Sequence, residues 1–597
     1  MRSRLALLAR SVRWLLPLTF RGPGSHYTAA DLIERRAAAQ PGDVFVRFEG
    51  RELRYGAFNA AANQVAHWAL ARGLGKGDVV ALLMQNRPEY LTLWAGLAKV
   101  GATTALVNTQ LTGRALAHAL GEARARLVVL GAECLASWSS LADATPTDVE
   151  LLVAADPGGP PAPTLPAGAR RLEDEAAQQP ETNPPRRIRA ALRGGDPLFY
   201  IYTSGTTGLP KAARFSHARF MGGGTYALLA GFGKTDSLYC PLPLYHTVGG
   251  VMCVNAVLRA GGTLALARRF SARRFWDDVV EMGVTAFQYV GELPRYLLDQ
   301  PAHPLERRHR IRFCVGNGMR PEVWERFRER FRIPHIVEFY GATESNVSMV
   351  NLDDRVGSVG KPAPGLRVAL VGYDVENQEL LRDVAGRLVV CREGQTGELI
   401  GRISEGRTIA GRFEGYTSGE ATESKILRDV FTRGDAWFRS GDLMRRDADG
   451  FFFFVDRIGD TFRWKGENVS TQEVADAIGE LAGIELCAVY GVQLPGADGR
   501  AGMAALVLRN GSALDGGVLF AHVAQHLPGY ARPAFVRVIV AADLTGTFKI
   551  RKGPLQREGF EPTASGDPVL VRDDTQQAYL PLTHAMRERI RSGDARF

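Results

Sequence analysis

A loop of small hydroxyl-bearing and glycine residues follows a strand-like apolar run near residue 200. In YTSGTTGLPKAA, six Thr, Ser and Gly residues (203–208) precede Lys211. Such a loop offers backbone N–H groups and hydroxyls at close range, and a helix start or a lysine adds positive charge, so it suits phosphate oxygens. Lys211 follows Pro210 and precedes Ala212, which excludes the Walker pattern and disfavours that kinase or GTPase chemistry. On loop composition alone, a flexible turn is the simpler interpretation.

The elements around this loop alternate between strands and helices. GDVVALLMQN (77–86) and ARLVVLGAE (125–133) have the apolar character of buried strands, and YLTLWAGLAKVG (90–101) between them is typical of a helix. This alternation predicts an α/β fold with parallel sheets covered by helices. The Pro- and Gly-rich residues 155–187 are expected to form a surface excursion without a core element.

The second half of the chain changes character. Three short strand patterns predict a smaller β-rich subdomain: GLRVALVGYD (365–374), GRLVVCRE (386–393) and GELIGRI (397–403). Three later patterns, separated by helical stretches, predict a small α+β domain: CAVYGVQ (487–493), GMAALVLR (502–509) and PAFVRVIV (533–540). We therefore expect three parts. Residues 1–27 form an N-terminal segment, residues 28–458 form a large α/β domain that includes a β-rich subdomain, and residues 459–597 form a small mobile C-terminal domain.

Length and charge narrow the possible partners. A chain of 597 residues is too long for one compact core, so more than one domain is expected. The net charge of +9 fits nucleotides, cofactor phosphates or an acidic membrane surface. We expect no nucleic-acid partner, because no dense Lys/Arg block is interleaved with aromatic residues. The six cysteines contain no C-x-x-C pair, which indicates reduced thiols in a cytoplasmic protein.

The N-terminus has the pattern of a basic amphipathic helix. Apolar residues recur at helical spacing from Leu5 to Leu16, while Arg2, Arg10 and Arg13 share another face. The apolar run is far shorter than the ~20 residues that span a bilayer, and the arginines and missing cleavage site argue against a signal peptide. Two interpretations stay open: a helix that lies on a membrane surface through residues 1–20, or a helix that packs on its own protein.

The loop and a series of later motifs together resemble one family. After YTSGTTGLPKAA come, in order, PLYHTVGG (243–250), EFYGATESN (338–346), GELIGR (397–402), RSGDLMRRDADGFFFFVDRIGDTFRWKGENVSTQEV (439–474), LPGYARP (527–533) and TGTFKIRKG (545–553). This ordered set resembles the adenylate-forming enzymes, which include acyl-CoA synthetases, luciferases and peptide-synthetase adenylation domains. FQYVGELPRYLL, GNGMRPEVW and TGTFK are most similar to the branch of very-long-chain acyl-CoA synthetases and fatty-acid transport proteins.

The resemblance implies ATP, Mg²⁺ and coenzyme A as ligands and assigns the ATP-site residues. Residues of the loop would wrap the β- and γ-phosphates with help from Lys211: Thr203, Ser204, Gly205, Thr206, Thr207 and Gly208. Tyr340 and the turn Gly316, Asn317 and Gly318 would flank adenine, and Thr343 would hydrogen-bond the α-phosphate. Glu344 would be the metal ligand, because a carboxylate suits Mg²⁺. Asp442 would bind the ribose hydroxyls and Arg457 the ribose or phosphate, although Asp442 after Gly441 could be only a turn residue.

The resemblance also assigns residues to the acyl and CoA steps. Lys549 would bridge the carboxylate oxygen and the α-phosphate, with Arg551 and Lys552 as competing candidates. His246 would lie near the acyl carboxylate and gate the thioester tunnel, or would be a core histidine. The stretch 286–298 would line the acyl pocket. Gly459 occupies the hinge position, where relatives usually have Asp or Lys, and Trp464, Lys465 and Gly466 would approach the CoA arm.

These residues imply an AMP-forming ligase for long- or very-long-chain fatty acids. The carboxylate would form acyl-AMP and release pyrophosphate, and CoA would then displace AMP. We expect it to act at the cytoplasmic face of the cell membrane. Two alternatives stay open: an acyl-AMP ligase that serves a carrier protein, and a membrane-associated uptake protein whose ligase activity is secondary.

Overall fold

A computed structural model gives the structure of the chain for residues 2–142, 149–159, 164–204, 209–375, 377–464, 467–495, 499–544, 550–563 and 565–595. Over these ranges, none of the helices combines the length and the apolar character that crossing a bilayer requires.

Two compact units make up the chain, and neither is one continuous stretch. The first unit contains residues 1–367 and 402–427, and the second contains residues 368–401 and 428–597. Residues 402–427 therefore return to the first unit after the chain has entered the second. The domain boundaries expected from the sequence, at 27/28 and 458/459, stay predictions.

The first sheet of the first unit has seven strands. Their spatial order is β7 (Arg170–Arg171), β6 (Glu150–Ala154), β5 (Leu127–Gly131), β3 (Val79–Leu83), β4 (Thr103–Leu106), β8 (Pro197–Ser204) and β9 (Pro210–Ser216). All neighbours are parallel except β8 and β9, which form an antiparallel hairpin. All five residues of β3 are buried, as expected for a parallel strand covered on both faces.

The second sheet of the first unit has nine strands. Their order is β16 (Lys361–Pro362), β15 (Ser348–Asn351), β14 (His335–Gly341), β13 (Phe313–Asn317), β12 (Ala286–Val290), β10 (Ser237–Cys240), β11 (Thr263–Leu266), β1 (Val44–Phe48) and β2 (Arg51–Arg54). The central strands from β14 to β1 are parallel, and the flanking strands are antiparallel. The carboxyl ends of the parallel strands therefore share one edge.

The second unit contains mostly antiparallel sheets. One sheet runs β17 (Val368–Val371), β20 (Gly397–Arg402), β22 (Ala436–Arg446) and β21 (Ile426–Arg428), and β23 (Phe452–Arg457) also pairs with β22. Two hairpins are β18 (Tyr373–Asp374) with β19 (Glu379–Leu380), and β24 (Phe462–Trp464) with β25 (Glu467–Val469). The last sheet runs β26 (Ile484–Gln493), β27 (Arg500–Leu508), β28 (Phe535–Val538), β29 (Val569–Asp573) and β30 (Ala578–Pro581).

The helices follow in chain order. They are α1 (Arg2–Thr19), α2 (Ala29–Ala39), α3 (Tyr55–Ala71), α4 (Pro88–Val100), α5 (Gly113–Ala123), α6 (Leu135–Ser139), α7 (Leu172–Ala176), α8 (His217–Gly222), α9 (Thr225–Ala230), α10 (Val254–Ala260), α11 (Phe275–Glu281), α12 (Glu292–Leu298), α13 (Pro321–Phe331), α14 (Gly419–Glu423), α15 (Thr471–Gly479), α16 (Gly516–His526), α17 (Lys552–Glu558) and α18 (His584–Arg591). Thr28 and Asp31 cap α2 reciprocally, and Ser216 caps α8.

Two expectations from the sequence differ from the structure. The excursion of residues 155–187 was expected to lack core elements, yet it contributes edge strand β7 and helix α7, whose Leu172 and Ala176 are buried. The pattern GRLVVCRE is not a strand: Val390 forms only an isolated bridge with Val371. The apolar spacing of that pattern is strand-like, but Val389 and Val390 are exposed, so no second face is covered to stabilise a strand.

Helix α1 packs on the first unit through its mixed polar face. The Arg10 guanidinium donates to the carbonyl of Leu229 at 3.0 Å. Arg259 of α10 donates to the carbonyl of Trp14 at 2.5 Å and lies over the indole ring. The opposite face carries large apolar side chains that stay exposed: Leu5, Leu8, Val12 and Leu16, followed by Phe20 after the helix. Helix α1 therefore contacts the rest of the first unit through the face of Arg10 and Trp14, and its apolar stripe is exposed.

Candidate active site

Most candidate residues of the first unit lie at or just after the carboxyl end of a parallel strand. Thr203 is the second-to-last residue of β8 in the seven-stranded sheet. The turn 316–318 ends β13, and Thr343 and Glu344 follow β14, both in the nine-stranded sheet. In open α/β sheets the carboxyl edge is where ligands bind, since strand ends and the following loops leave backbone groups unpaired.

The candidate phosphate loop connects the two strands of the β8–β9 hairpin. Thr203 pairs with Lys211, and Ser204 pairs with Pro210, so the lysine lies directly across from the start of the loop. The Lys211 side chain is half-buried. Gly205, Thr206, Thr207 and Gly208 lie outside the described residues. The hairpin register thus places Thr203 and Lys211 opposite each other, and their phosphate-binding role stays a prediction.

One carboxylate oxygen of Glu344, Oε2, is buried and has no hydrogen-bond partner among the described residues. Tyr416, whose ring is buried, forms a backbone bridge with Ala213 of β9. Burial, followed by the charge of Glu344, raises the pKa of the Tyr416 phenol. An unsatisfied buried carboxylate oxygen fits a Mg²⁺ ligand.

Arg219 fixes the loop that carries Thr343 and Glu344. Its guanidinium donates to the carbonyls of Ala342 at 3.3 Å and Ser345 at 2.5 Å, the two residues that flank the pair. Burial lowers the pKa of Arg219, whereas the charges of Glu414 and Glu344 raise it. This arginine therefore supplies positive charge close to the candidate metal carboxylate.

Thr343 connects the same loop to the His246 region. Its Oγ1 lies 2.8 Å from the Oγ1 of Thr247, the residue after His246. A short π-helix, Thr247–Cys253, begins there and continues into α10. π-helical turns are rare and often lie at functional sites. His246 and Thr343 are therefore close in space, although the role of His246 as gate or core residue stays a prediction.

The candidate adenine turn depends on tight backbone packing. A Cβ at Gly316 would lie 2.5 Å from the Tyr289 ring, and one at Gly291 would lie 2.7 Å from the carbonyl oxygen of Gly318. Gly318 has a φ of +86°, a conformation that favours glycine. The Asn317 Oδ1 is buried and has no hydrogen-bond partner among the described residues, so it is open to a ligand. Tyr340 is nearly buried near the end of β14.

A buried glutamate, Glu338, supports this turn from behind. Its carboxylate accepts the backbone N–H of Gly318 at 2.9 Å and of Met319 at 2.8 Å, and the Tyr289 hydroxyl at 2.6 Å. Burial raises the pKa of Glu338 to about 8, against the opposing effect of these three donors. This buried carboxyl therefore connects Tyr289 of β12 to the candidate adenine turn. The predicted acyl lining, residues 286–298, forms β12 and α12.

The second unit brings its own candidate residues together. Asp442 and Arg457 are paired across β22 and β23, and the guanidinium Nε lies 3.5 Å from Asp442 Oδ1. Asp442 is therefore a strand residue rather than a turn residue. Gly459 has a φ of +96° with open space around it, and Trp464 is buried in β24. Lys465, Gly466 and Lys549 lie outside the described residues.

The two competitors of Lys549 have partners in the second unit. Lys552 Nζ lies 3.1 Å from Asp460 Oδ2 and donates to Thr471 Oγ1 at 2.8 Å. Arg551 lies 3.6 Å from Asp543. Both positively charged side chains are thus paired with acidic residues of the second unit.

Sequence reasoning missed four residues of this region. Glu338 had a visible signal, since a glutamate in the apolar run HIVEFYG needs a reason to be buried. Arg219, Thr247 and Tyr416 had none, because each is an ordinary residue whose position depends on contacts with distant parts of the chain.

Comparison with known proteins identifies the family. The family described as AMP-binding enzyme matches residues 33–398, and the AMP-binding enzyme C-terminal domain matches residues 473–549. The long-chain fatty acid transport protein 1 of Homo sapiens is 43% identical over 546 residues, which cover 90% of this chain and 82% of that protein. The medium/long-chain-fatty-acid–CoA ligase FadD6 of Mycobacterium tuberculosis is 38% identical over 583 residues, 96% of this chain and 92% of that protein.

The fold agrees with this assignment. The crystal structure of the anthranilate CoA ligase AuaEII in complex with anthranoyl-AMP is similar with a TM-score of 0.74 and 22% identity, covering 89% of this chain and 97% of that one. The α/β fold expected from the sequence and the family resemblance are both confirmed. The chain belongs to the AMP-binding, adenylate-forming enzymes, in the branch of fatty acid transport proteins and very-long-chain acyl-CoA synthetases.

Proposed function

We propose that this protein is an ATP-dependent ligase that converts long- and very-long-chain fatty acids to acyl-CoA through acyl-AMP. The observation that carries the proposal is how the Thr343–Glu344 loop is held: Arg219, in the helix that follows the β8–β9 hairpin, donates to the carbonyls of Ala342 and Ser345, and the Thr343 Oγ1 lies 2.8 Å from the Thr247 Oγ1. The similarity to the ligase and transport proteins named above supports fatty acids as the substrate class.

The chemistry divides into two displacements. A carboxylate oxygen of the fatty acid attacks the α-phosphorus of ATP, the bond to the β-phosphate oxygen breaks, and pyrophosphate leaves. The CoA thiolate then attacks the acyl carbon, and AMP leaves with the electron pair of the broken C–O bond. Bound Mg²⁺ supplies charge neutralisation over the phosphates, and the single carboxylate of Glu344 fits as its protein ligand.

The chain's own residues would bind and orient the reactants. Thr203 and Lys211 hold the phosphate side, and Thr343 hydrogen-bonds the α-phosphate. Lys549 stabilises charge on the carboxylate and α-phosphate oxygens during the first step. The roles of Asp442 and Arg457 at the ribose, and of Trp464, Lys465 and Gly466 at the CoA arm, are proposed from the family motifs.

AMP formation by the purified protein tests this function. With palmitate, ATP and Mg²⁺, we expect sustained AMP release only when CoA is present, and greater kcat/KM for palmitate and longer acids than for octanoate. A single burst that is indifferent to CoA would instead indicate a ligase that serves a carrier protein. No AMP with any chain length would contradict the proposal.

We also propose that α1 places the enzyme on the cytoplasmic face of the membrane. Leu5, Leu8, Val12, Leu16 and Phe20 are 53–77% exposed and lie on one side of the helix. The other face already packs on the first unit, so this stripe needs an apolar partner outside the unit. The exposed Arg13 and the net charge of +9 favour an anionic lipid surface.

Vesicle binding tests the membrane proposal. Replacing Leu8, Val12 and Leu16 by glutamine removes burial worth about 1 kcal/mol for each half-exposed side chain, so we expect roughly 100-fold weaker binding to vesicles with anionic phospholipid. The contacts of Arg10 and Trp14 remain, so activity on dispersed palmitate stays unchanged.

A control variant carries three glutamine substitutions at exposed apolar positions outside α1. Val384, Val518 and Val540 are also more than half exposed. Their replacement by glutamine is expected to leave vesicle binding at the wild-type level. Equal binding by wild type and the α1 variant in a vesicle sedimentation assay would refute the membrane role of α1.

A further inference from the structure

The segment that leads into Thr247 is held by a buried asparagine. Asn86 follows β3 of the seven-stranded sheet, whereas residues 241–246 follow β10 of the nine-stranded sheet. The Asn86 side-chain amide donates to the carbonyl of Leu242 at 2.8 Å, and its oxygen accepts the backbone N–H of Leu244 at 2.8 Å. Because both hydrogen bonds are buried, they give the start of this segment a defined position.

The backbone around Thr247 is also hydrogen-bonded on both sides. The backbone N–H of His246 donates to the carbonyl of Pro243 at 3.2 Å, and that of Gly250 donates to the carbonyl of His246 at 2.8 Å. Thr247 is the first residue of the π-helix that follows. The direction of its side chain is therefore set by a backbone that has little freedom of its own.

The backbone of Thr343 is held in a similar way, so rotation of the side chain is the main freedom left to this residue. The Arg219 guanidinium donates to the carbonyl of Ala342 at 3.3 Å and to that of Ser345 at 2.5 Å, on the two sides of the Thr343–Glu344 pair. A threonine side chain has three staggered positions for its hydroxyl oxygen. The Thr343 Oγ1 lies 2.8 Å from the Thr247 Oγ1, and this hydrogen bond favours one of the three.

A bound nucleotide decides which of the two hydroxyls is the donor. A threonine hydroxyl has one proton and two acceptor lone pairs. The non-bridging oxygens of an α-phosphate carry no proton at neutral pH and can only accept. Thr343 therefore donates its proton to the phosphate, and one of its lone pairs accepts the proton of Thr247. The two hydroxyls and the phosphate then form a chain in which each hydrogen bond polarises the next.

We propose that Thr247 is a positioning residue for the α-phosphate: its hydroxyl donates to the Thr343 Oγ1 at 2.8 Å and so directs the Thr343 proton towards the phosphate. This inference rests on the proposed function, in which Thr343 hydrogen-bonds the α-phosphate. It gives Thr247 a part in nucleotide binding, and it connects the segment that carries His246 to the loop that carries Thr343.

Isothermal titration calorimetry of the full-length protein with AMP and, separately, with adenosine tests the inference without turnover. Thr247→Val removes the hydroxyl and keeps nearly the same shape. We expect the dissociation constant of AMP to rise about 5–10-fold, as for the loss of one neutral hydrogen bond, and that of adenosine to stay within about twofold of wild type, because adenosine has no phosphate. Thr247→Ser keeps the hydroxyl and should bind both ligands as the wild type does.

Thr263→Val is the matched control. Thr263 lies at the start of β11 in the same sheet, is also half-buried, and donates its hydroxyl to the carbonyl of Val44 at 3.0 Å. Its replacement removes a comparable hydrogen bond, so AMP affinity should stay at the wild-type level. Equal weakening of AMP binding in Thr247→Val and Thr263→Val would overturn the inference. Equal weakening of AMP and adenosine binding in Thr247→Val would overturn it as well, because the effect would not depend on the phosphate.

Thr343→Val distinguishes this inference from the proposed function. If Thr247 acts through Thr343, the double variant Thr247→Val/Thr343→Val should bind AMP no more weakly than Thr343→Val alone. Additive losses would overturn the inference and leave the assignment of Thr343 intact. Unchanged AMP affinity in Thr343→Val would refute the assignment of Thr343 to the α-phosphate, and the role of Thr247 with it.

A second variant keeps the test decisive if Thr247→Val does not fold. Thr247→Ala removes the same hydroxyl without placing a methyl group next to Thr343, and it takes the place of the valine variant in each comparison. Wild-type AMP affinity in whichever of the two variants is folded would overturn the inference.

Discussion

Replacing Glu344 by glutamine is expected to reduce AMP formation by at least about 100–1,000-fold at saturating ATP and palmitate, which corresponds to roughly 3–4 kcal/mol of transition-state stabilisation. The amide keeps the size of the side chain. It lacks the negative charge, however, and the buried oxygen that has no protein partner among the described residues no longer suits a divalent cation. Steady-state AMP release over a range of Mg²⁺ concentrations measures the effect.

Glu414→Gln provides the matched control for this substitution. Like Glu344, Glu414 carries a negative charge that opposes the lowering of the Arg219 pKa by burial. Its carboxylate accepts the backbone N–H of Ser216 at 2.9 Å. It is not a candidate metal ligand. We expect less than about fivefold loss of activity in this variant, because Glu414 lies outside the Thr343–Glu344 loop, although its Oε1 is also buried without a hydrogen-bond partner among the described residues. More than a tenth of wild-type activity in Glu344→Gln at saturating Mg²⁺ would contradict the assignment.

Replacing Lys549 by alanine is expected to abolish the first step and spare the second. The resemblance assigns this lysine to the oxygens of the carboxylate and the α-phosphate, where charge builds up during adenylation. We expect AMP formation from ATP to fall by about 1,000-fold or more. Conversion of pre-formed palmitoyl-AMP to palmitoyl-CoA should continue at a rate close to that of wild type, because Lys549 is assigned only to the adenylation step.

Lys552→Ala separates catalysis from structure. Lys552 is bound by Asp460 and Thr471, so its loss should lower the melting temperature and leave adenylation within about tenfold of wild type. If Lys552→Ala instead lost adenylation and Lys549→Ala kept it, the assignment within TGTFKIRKG would be wrong. Thermal denaturation of both variants distinguishes an unfolded protein from an inactive one.

Much of the first unit could be predicted because its signals are local. The run VVALL of β3 and the helix Pro88–Val100 have patterns that a short window reveals. The motif in the loop after β8 and the motif EFYGATES can likewise be recognised from a few consecutive residues. The two stretches follow strands of different sheets, β8 and β14, so the rule for parallel strands places each at the carboxyl edge of its own sheet and does not by itself bring them together.

The rest depends on contacts between residues far apart in the chain. Nothing in GRFEGYTS indicates that Tyr416 would pair with Ala213 of β9, about 200 residues earlier in the chain. The helical periodicity of α1 predicted its apolar stripe, but it did not predict which face of the helix contacts the rest of the first unit. Its docked face is set by Arg10 and by Arg259, a residue about 250 positions later.

The interrupted first unit has a consequence for protein engineering. Residues 368–401 leave the first unit and return to it, and their flanking residues are adjacent: the backbone N–H of Arg402 donates to the carbonyl of Arg367 at 2.8 Å. Closely spaced ends are the geometry in which inserted domains are tolerated and can be removed. A short glycine linker from Arg367 to Arg402 would therefore yield the nucleotide-binding unit as one continuous chain that retains Tyr416, whereas a fragment that stops at residue 398, where the family match ends, would lack it.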